Sequence, residues 1–210
     1  MRLLPKKALL KTGEVDHADW NYRPLLGSIM RLRFRLVLSL LGRRRYPRLL
    51  EIGYGSGVFL PELVQHCDEL FGLDIHDHHG AVSEALKQSQ VRATLLPASM
   101  TAMPFADHSF DCVVAVSALE FVNDLEGACR EVKRVLRLGG VLVVVTPGHS
   151  WLVDFGLKML TGKSARADFA ERRQRVIPTL LNHFQLRRCR TAPRFGTFLV
   201  HLYTGLQLLT

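Results

Sequence analysis

The sequence has few of the features that mark secreted or membrane-spanning proteins. It contains four cysteines in 210 residues, and no two of them form a C-x-x-C pair. We therefore expect reduced thiols and a reducing, cytoplasmic location rather than a disulfide framework. No stretch reaches the roughly 18 apolar residues of a membrane-spanning helix. Residues 1–10 lack the continuous apolar core and the small-residue cleavage site of a signal peptide.

The chain also has no internal repeats, low-complexity tracts or evident linkers. With 48% hydrophobic residues it can bury one large core, so a single domain is expected. Acidic residues are in the minority: 28 Lys and Arg face 19 Asp and Glu, for a net charge of +9. This charge favours anionic partners, which include nucleic acid, an acidic membrane leaflet and a phosphorylated small molecule. Charge alone does not choose among them.

From residue 48 onward the sequence alternates between strand and helix patterns. The predicted strands are 48–52, 69–73, 91–96, 111–116 and 141–146, and the predicted helices are 59–66, 80–89 and 125–138. Strands 112–116 and 141–145 are apolar on both faces, as in a parallel sheet that helices cover from each side. The pattern predicts a doubly wound α/β sheet. Gly139-Gly140 is expected to cap the helix before the fifth strand. Further predictions are a partly helical 149–183 and strands at 186–190 and 198–206.

Three alternating glycines follow the first strand, in the segment Glu51-Ile52-Gly53-Tyr54-Gly55-Ser56-Gly57. Glycines at every second position let the backbone turn tightly and approach a nucleotide-like ligand at the strand tip. A P-loop would need Gly-Lys-Ser/Thr, whereas Gly57 is followed by Val58. A dinucleotide fingerprint has the spacing G-x-G-x-x-G, which also differs.

Glu51-x-Gly53-x-Gly55-x-Gly57 resembles the first motif of class I S-adenosylmethionine-dependent methyltransferases. The resemblance continues in Phe71-Gly72-Leu73-Asp74-Ile75, in residues 103–114 and in residues 137–142, so that it covers about residues 48–147 in unbroken order. It is closest to small single-domain enzymes of the methyltransferase type 11 kind, which are often grouped with quinone and sterol methylating enzymes.

The resemblance implies a Rossmann-like, mostly parallel sheet of seven strands, with helices on both faces and an antiparallel last strand. Residues 48–210 would form this domain. Residues 1–47 would form an N-terminal helical segment that packs on or caps the cofactor site. The implied cofactor is S-adenosylmethionine, with S-adenosylhomocysteine as the product.

The resemblance also implies roles for individual residues. The three glycines would pass under the methionyl and ribose parts of the cofactor, and Glu51 would steady the loop or accept from the cofactor amine. Asp74 would accept the ribose hydroxyls. Ile75 and Met100 would pack on the adenine, Ser99 stands where relatives have an adenine-binding Asp, and Ser117 follows the fourth strand in a cofactor-contacting region.

For each of these residues an ordinary structural role is the alternative. The glycines could serve packing at a strand–helix junction, and Asp74 could be a helix-start acid. Ile75 and Met100 could be core residues. His76-Asp77-His78-His79 suggests a metal, but adjacent histidines in a polar loop rarely aim at one point, so a solvated loop is expected and no metal is predicted.

The acceptor side is less constrained because methyl transfer from a sulfonium needs mainly alignment and water exclusion. Candidates by position are Tyr22, Glu120 and His149, with Tyr22 favoured for closing over the cofactor. Weaker candidates are His17, Asp19, Trp20 and Trp151.

The basic, Leu-rich segment 31–45 and the apolar tail 195–209 leave two interpretations open. The helix could lie on an anionic membrane, which suits a lipid or quinone-like acceptor, or it could pack on the sheet with its arginines solvated. A nucleic-acid substrate is less favoured because the base-methylation motif and aromatic–basic interleaving are missing. The resemblance thus implies methylation of a small-molecule acceptor, with an apolar, lipid- or quinone-like compound as one option. A nonenzymatic cofactor-binding or regulatory protein is the alternative, with a nicotinamide oxidoreductase third.

Overall fold

The computed structural model describes residues 1–13, 16–148, 167–193 and 202–210. Its sheet strands are β1 Tyr46–Ile52, β2 Cys67–Asp74, β3 Thr94–Pro97, β4 Phe110–Val116, β5 Leu136–Pro147, β6 Gln185–Ala192 and β7 Tyr203–Leu209. The helices are α1 Leu26–Met30, α2 Leu32–Leu41, α3 Leu60–Leu63, α4 His79–Gln88, α5 Leu125–Val135 and α6 Ala167–His183. Two 3₁₀ turns, Ala18–Tyr22 and Leu119–Phe121, also contribute to the site.

The strands form one sheet in the order β3-β2-β1-β4-β5-β7-β6. Strands β1 to β5 pair in parallel, and β7 runs antiparallel to both β5 and β6. The predicted α/β fold with an antiparallel last strand is confirmed. The strand order reverses beside β1, which lies between β2 and β4, and ligands of open α/β sheets bind in the crevice at such a point.

The central strands are buried on both faces because helices cover each side of the sheet. In β4, Cys112 and Val114 belong to one core cluster, while Val113 and Ala115 belong to the other. Helices α2 and α4 contribute to the first cluster, and α5 and α6 to the second. This alternation explains why β4 and β5 are continuous apolar runs in the sequence.

Helix α2, within the basic segment 31–45, packs on the sheet. Its buried residues are Phe34, Leu36, Val37, Leu40 and Leu41. Gly205 of β7 permits the close approach, since a Cβ there would lie 3.0 Å from Leu40 Cδ1. The structure therefore supports the sheet-packing interpretation of this helix. Among the helices in the described ranges, none combines the length and apolar character needed to cross a bilayer.

Some predicted boundaries were wrong. Helix α5 ends at Val135 and β5 begins at Leu136, so Gly139-Gly140 is not the helix cap. Leu136 pairs with Phe110 and Val141 pairs with Cys112, which leaves residues 137–140 as a bulge. Gly139 adopts φ +71 there, a conformation that glycine allows at low cost.

Within the predicted N-terminal helical segment 1–47, two helices, α1 and α2, meet at Arg31. The last strand is displaced to Tyr203–Leu209, and residues 198–201 of the predicted strand lie outside the described residues. In the predicted helical region 149–183, residues 149–166 also lie outside them. The division of the chain at residue 47 stays a prediction.

Candidate active site

The glycine loop connects β1 to α3 at the carboxyl edge of the sheet. Gly53, Gly55 and Gly57 all have positive φ, at +75, +53 and +72. A Cβ on Gly53 would lie 2.5 Å from the Cβ of Ala118, which follows β4. Because real Cβ contacts are never this short, the first glycine of the loop is required both by its conformation and by its contact with Ala118.

Asp74, the last residue of β2, organises this loop. Its Oδ2 accepts a hydrogen bond from the Gly55 amide at 2.8 Å, and its Oδ1 accepts one from the Ile75 amide at 2.7 Å. The side chain is 17% exposed. Each carboxylate oxygen can accept more than one hydrogen bond, so both retain capacity for a ligand hydroxyl.

His76 closes the far side of the loop. Its Nε2 lies 2.9 Å from the carbonyl oxygen of Gly55, and its Nδ1 lies 3.2 Å from the amide nitrogen of His78. Since a carbonyl only accepts, Nε2 carries the hydrogen and Nδ1 is the acceptor. Both ring nitrogens therefore bind backbone. In the described parts of the chain, no group of three or more His, Cys, Asp or Glu is placed to hold a metal ion.

Glu51 lies below the loop and is 3% exposed. Its Oε2 is buried without a hydrogen-bond partner. Burial raises the pKa of Glu51 to about 8; the negative charge of Asp74 adds to this rise, and Arg33 opposes it. A buried carboxylate lacking a partner is unfavourable in the free protein. It is suited to a cationic or hydrogen-bond-donating ligand group.

The residues predicted to contact adenine lie along the ends of β2 and β3. Ile75 is 80% exposed, so its side chain is available to a ligand. The Ser99 hydroxyl bonds to that of Thr101 at 2.8 Å, whereas Met100 packs partly against the core. The amide of Ala98 donates to the Asp74 carbonyl at 2.9 Å, which holds this rim beside the β2 end.

The N-terminal segment reaches the glycine loop through Asp16, a residue that sequence reasoning missed. A Cβ on Gly55 would lie 3.8 Å from Thr12 Oγ1 and 3.9 Å from the Asp16 carboxylate. Asp16 in turn accepts hydrogen bonds from the Thr12 side chain and from the Ala18 amide. The hydrogen-bonded Asp-x-Ala turn is visible in the sequence only as a weak turn signal.

The other N-terminal candidates have mainly structural contacts. The Tyr22 hydroxyl donates to the carbonyl oxygen of Leu4, which directs it toward the N-terminal segment. His17 stacks on the buried Trp20, with ring centroids 4.2 Å apart. Asp19 pairs with exposed Arg23 at 3.2 Å. Their roles in acceptor binding stay predictions, and His149 and Trp151 lie outside the described residues.

Ser117 and Glu120 stand after β4, close to the glycine loop. Ser117 has φ +51, and its amide donates to the Val145 carbonyl at 2.7 Å, so the chain turns sharply over the sheet edge. Its hydroxyl is buried without a partner. Glu120 is 1% exposed, and burial raises its pKa to about 7 while its own backbone amide, Arg33 and Arg173 oppose that rise.

Arg33 of α2 is a second residue that sequence reasoning missed, because the arginines of this helix were expected to be solvated. Its Nε is buried without a partner. Its charge opposes the rise in pKa that burial causes at Glu51, Glu120 and Tyr203. The helical pattern places Arg33 beside buried Phe34, but no local signal indicates which strand ends it faces.

Together these residues provide a backbone cradle without side chains, a carboxylate with spare acceptor capacity at the next strand end, and buried carboxyl groups nearby. Such a site can bind an adenosyl group, pair with a cation and hold a second molecule at the sheet edge.

Comparisons with known proteins agree with this geometry. Residues 50–144 match the family model described as a methyltransferase domain. The chain is 34% identical to a demethylmenaquinone methyltransferase of Roseiflexus castenholzii over 45% of this chain and 40% of that protein. It is 32% identical to the ubiquinone/menaquinone biosynthesis C-methyltransferase of Pasteurella multocida, over 56% and 46% respectively. These matches span less than half the length of either relative.

Among solved structures, the fold is similar to the N-methyltransferase NodS of Bradyrhizobium japonicum in complex with S-adenosyl-l-homocysteine. The TM-score is 0.66 at 20% identity, with 95% of this chain and 94% of that chain covered.

Proposed function

We propose that this chain, whose residues 50–144 match a methyltransferase domain, is a class I S-adenosylmethionine-dependent methyltransferase that transfers a methyl group to a small, apolar acceptor of lipid or quinone-like type. The observation that carries the proposal is the cradle at the end of β1. Gly53 lies against Ala118, the Gly55 amide is fixed by Asp74, and both glycines have left-handed backbone conformations that disfavour ordinary side chains.

The residues present fit S-adenosylmethionine. The unpartnered Oε2 of Glu51 matches the cationic amine of a methionyl group, and the Asp16 carboxylate, 3.9 Å from the Cβ position of Gly55, places a second acid against the loop. Asp74 would accept the two ribose hydroxyls. Ile75 would cover the adenine from its exposed position, and Ser99 and Met100 would border the other side of the ring.

When bound, the cofactor supplies an electrophilic methyl group on a sulfonium. The chain would contribute alignment and exclusion of water, since the glycine loop offers backbone rather than side chains at the end of β1. Ser117, with its buried hydroxyl, stands between the cradle and the acceptor side.

The apolar acceptor is supported by the relatives, which are named for quinone methylation. The net charge of +9 favours peripheral contact with an anionic membrane, which would bring such acceptors to the site. This contact is part of the proposal and does not require a membrane-spanning segment.

Calorimetry with S-adenosylhomocysteine, followed by a methyl-transfer assay with reduced demethylmenaquinone analogues, tests the proposal. We expect micromolar binding and methylated product detected by mass spectrometry. Binding without transfer to any apolar acceptor would instead favour a nonenzymatic cofactor-binding protein. If neither S-adenosylhomocysteine nor S-adenosylmethionine binds, the proposed function is wrong.

A further inference from the structure

Glu120 lies beside the proposed cofactor site but is not used by it. It belongs to the 3₁₀ turn that begins one residue after Ala118, the residue in contact with Gly53. This contact places the turn directly against the cradle. Glu120 is therefore on the acceptor side of the sheet edge, where the loops after β1, β4 and β5 meet.

Both carboxylate oxygens of Glu120 are buried, and neither has a hydrogen-bond partner. The carboxyl group is close enough to its own backbone amide to be influenced by it, but the geometry of a hydrogen bond is not reached. A glutamate whose role was only structural would be expected to bind a backbone amide or an arginine. Two orphaned oxygens on a nearly inaccessible side chain point instead to a ligand group.

The charged and titratable groups around Glu120 come from three other elements. Arg33 of α2 and Arg173 of α6 act on it electrostatically, and Glu120 itself acts on Tyr203 of β7. Tyr203 pairs with Pro147 at the end of β5, and its hydroxyl lies 3.7 Å from the Met30 sulfur. Because the Arg33 Nε is also buried without a partner, Arg33 and Glu120 do not form a closed, fully satisfied ion pair.

We propose that Glu120 receives an acidic hydroxyl of the methyl acceptor, a phenol or enol, and takes its proton. This inference rests on the proposed function and adds the chemical class of the acceptor. The O–H bond breaks with its electron pair left on the acceptor oxygen, and the proton bonds to a carboxylate oxygen of Glu120. Arg33 then stabilises the negative charge of the acceptor oxygen, or of the carbon conjugated with it.

The restriction to phenols and enols follows from proton affinities. A carboxylate in this environment is matched to an acceptor whose hydroxyl is moderately acidic, while an aliphatic alcohol holds its proton too strongly. An isolated alkene has no proton to give before methylation. The two unpartnered oxygens of Glu120 and the nearby positive charge of Arg33 therefore suit a phenol or an enol, whose proton the carboxylate can accept and whose anion the arginine can stabilise.

The inference can be tested by binding alone, with the full chain saturated with S-adenosylhomocysteine. The probes are 2-naphthol and its methyl ether 2-methoxynaphthalene, which differ in the hydroxyl proton. We expect the wild type to bind 2-naphthol at least ~10-fold more tightly, as for one charge-assisted hydrogen bond. Glu120→Gln should reduce this preference to within about 2-fold. The control Glu84→Gln, at an exposed position on α4, should keep it.

The pH dependence separates a proton acceptor from a packing residue. The wild-type preference should be larger at pH 8 than at pH 6, because Glu120 ionises around its pKa of about 7, whereas Glu120→Gln should show no such change. If Glu120→Gln does not fold, Glu120→Asp is the second variant to measure. It should retain the pH dependence because it keeps a carboxylate. Affinity for S-adenosylhomocysteine should stay within about 2-fold in all variants.

Equal binding of the two probes to the loaded wild type, or an unchanged preference in Glu120→Gln, overturns this inference and leaves the proposed function standing. Failure of the wild type to bind S-adenosylhomocysteine overturns both.

Discussion

Gly53 and Ala118 are in direct contact across the carboxyl edge of the sheet, so that a Cβ on Gly53 would lie 2.5 Å from the Ala118 Cβ. The contact joins the end of β1 to the turn after β4. It therefore couples the proposed cofactor loop to the proposed acceptor side, and any displacement of one should be felt by the other.

Replacing Gly53 with Ala should damage both the fold and the site. The φ of +75 is unfavourable for alanine by about 1–2 kcal/mol, and the clash with Ala118 adds about 1–3 kcal/mol. At about 2–4 °C per kcal/mol, thermal denaturation should show a loss of at least ~4 °C, and calorimetry a loss of at least ~10-fold in S-adenosylhomocysteine affinity. Gly80→Ala is the control, since nothing lies within 4 Å of its Cβ position. Equal behaviour of both variants would contradict the role given to Gly53.

Asp74→Asn should weaken S-adenosylhomocysteine binding by at least ~10-fold, as expected for charged hydrogen bonds worth about 1.5–3 kcal/mol. The amide cannot accept from both Gly55 and Ile75 while also binding a ribose hydroxyl. Asp77→Asn is the matched control in the same loop because its side chain is 98% exposed. Calorimetry that gave the two variants equal affinities would remove Asp74 from the site.

The local parts of this site could be predicted from the sequence, whereas its long-range parts could not. The glycine spacing and the acid that closes the second strand are each visible as a local pattern in the sequence, and they predicted Gly53 and Asp74 as site residues. Arg33 and Asp16 reach the site from elements that precede the sheet, and their direction depends on how α2 and the N-terminal segment pack. The periodicity of α2 does not show that the charge of Arg33 acts on Glu51 and Glu120 while Arg35 is exposed.

The same limit explains the boundary of α5. Leu125 to Leu138 has a helical pattern, but the helix ends three residues earlier because Leu136 pairs with Phe110 on β4. The pairing is a tertiary contact that overrides local propensity. Gly139-Gly140 then serve the bulge in β5 instead of a helix end.

Arg134 of α5 should be an important stabilising residue outside the site. It donates to Glu131, Asp107 and the carbonyl oxygens of Phe105 and Met103, which ties the approach to β4 onto the helix. Arg134→Met should lower the stability by about 1.5–3 kcal/mol, the range for charged hydrogen bonds. Urea denaturation measures this difference. Arg130→Met is the control, since Arg130 is 65% exposed and lies 4.0 Å from Asp124.

Glu51→Gln should change the pH dependence of stability. Burial raises the pKa of Glu51 from an ordinary value of 4.5 to about 8 in the folded protein, so the folded state binds more protons than the unfolded state between these two pH values. The free energy of unfolding of the wild type should therefore fall as pH rises from about 4.5 to about 8 and level off above. Glu51→Gln lacks this loss. Thermal denaturation at pH 5 and pH 9 should show its advantage growing toward pH 9, to at least ~4 °C.

Cofactor binding should release a proton from Glu51. In the free protein at pH 7 the carboxyl group is mostly protonated because it is buried beside Asp74, and a cationic amine placed against it favours the ionised form. The calorimetric enthalpy of S-adenosylhomocysteine binding should consequently differ between buffers of different ionisation enthalpy, by an amount corresponding to about one proton.

In Glu51→Gln this difference should disappear, and the affinity at pH 9 should fall by about 10-fold, as for one charged hydrogen bond. Glu84→Gln, at an exposed position on α4, should behave as the wild type. A wild-type enthalpy that is the same in every buffer would show that the amine does not bind at Glu51, and Asp16, whose carboxylate lies 3.9 Å from the Cβ position of Gly55, would be the next residue to test.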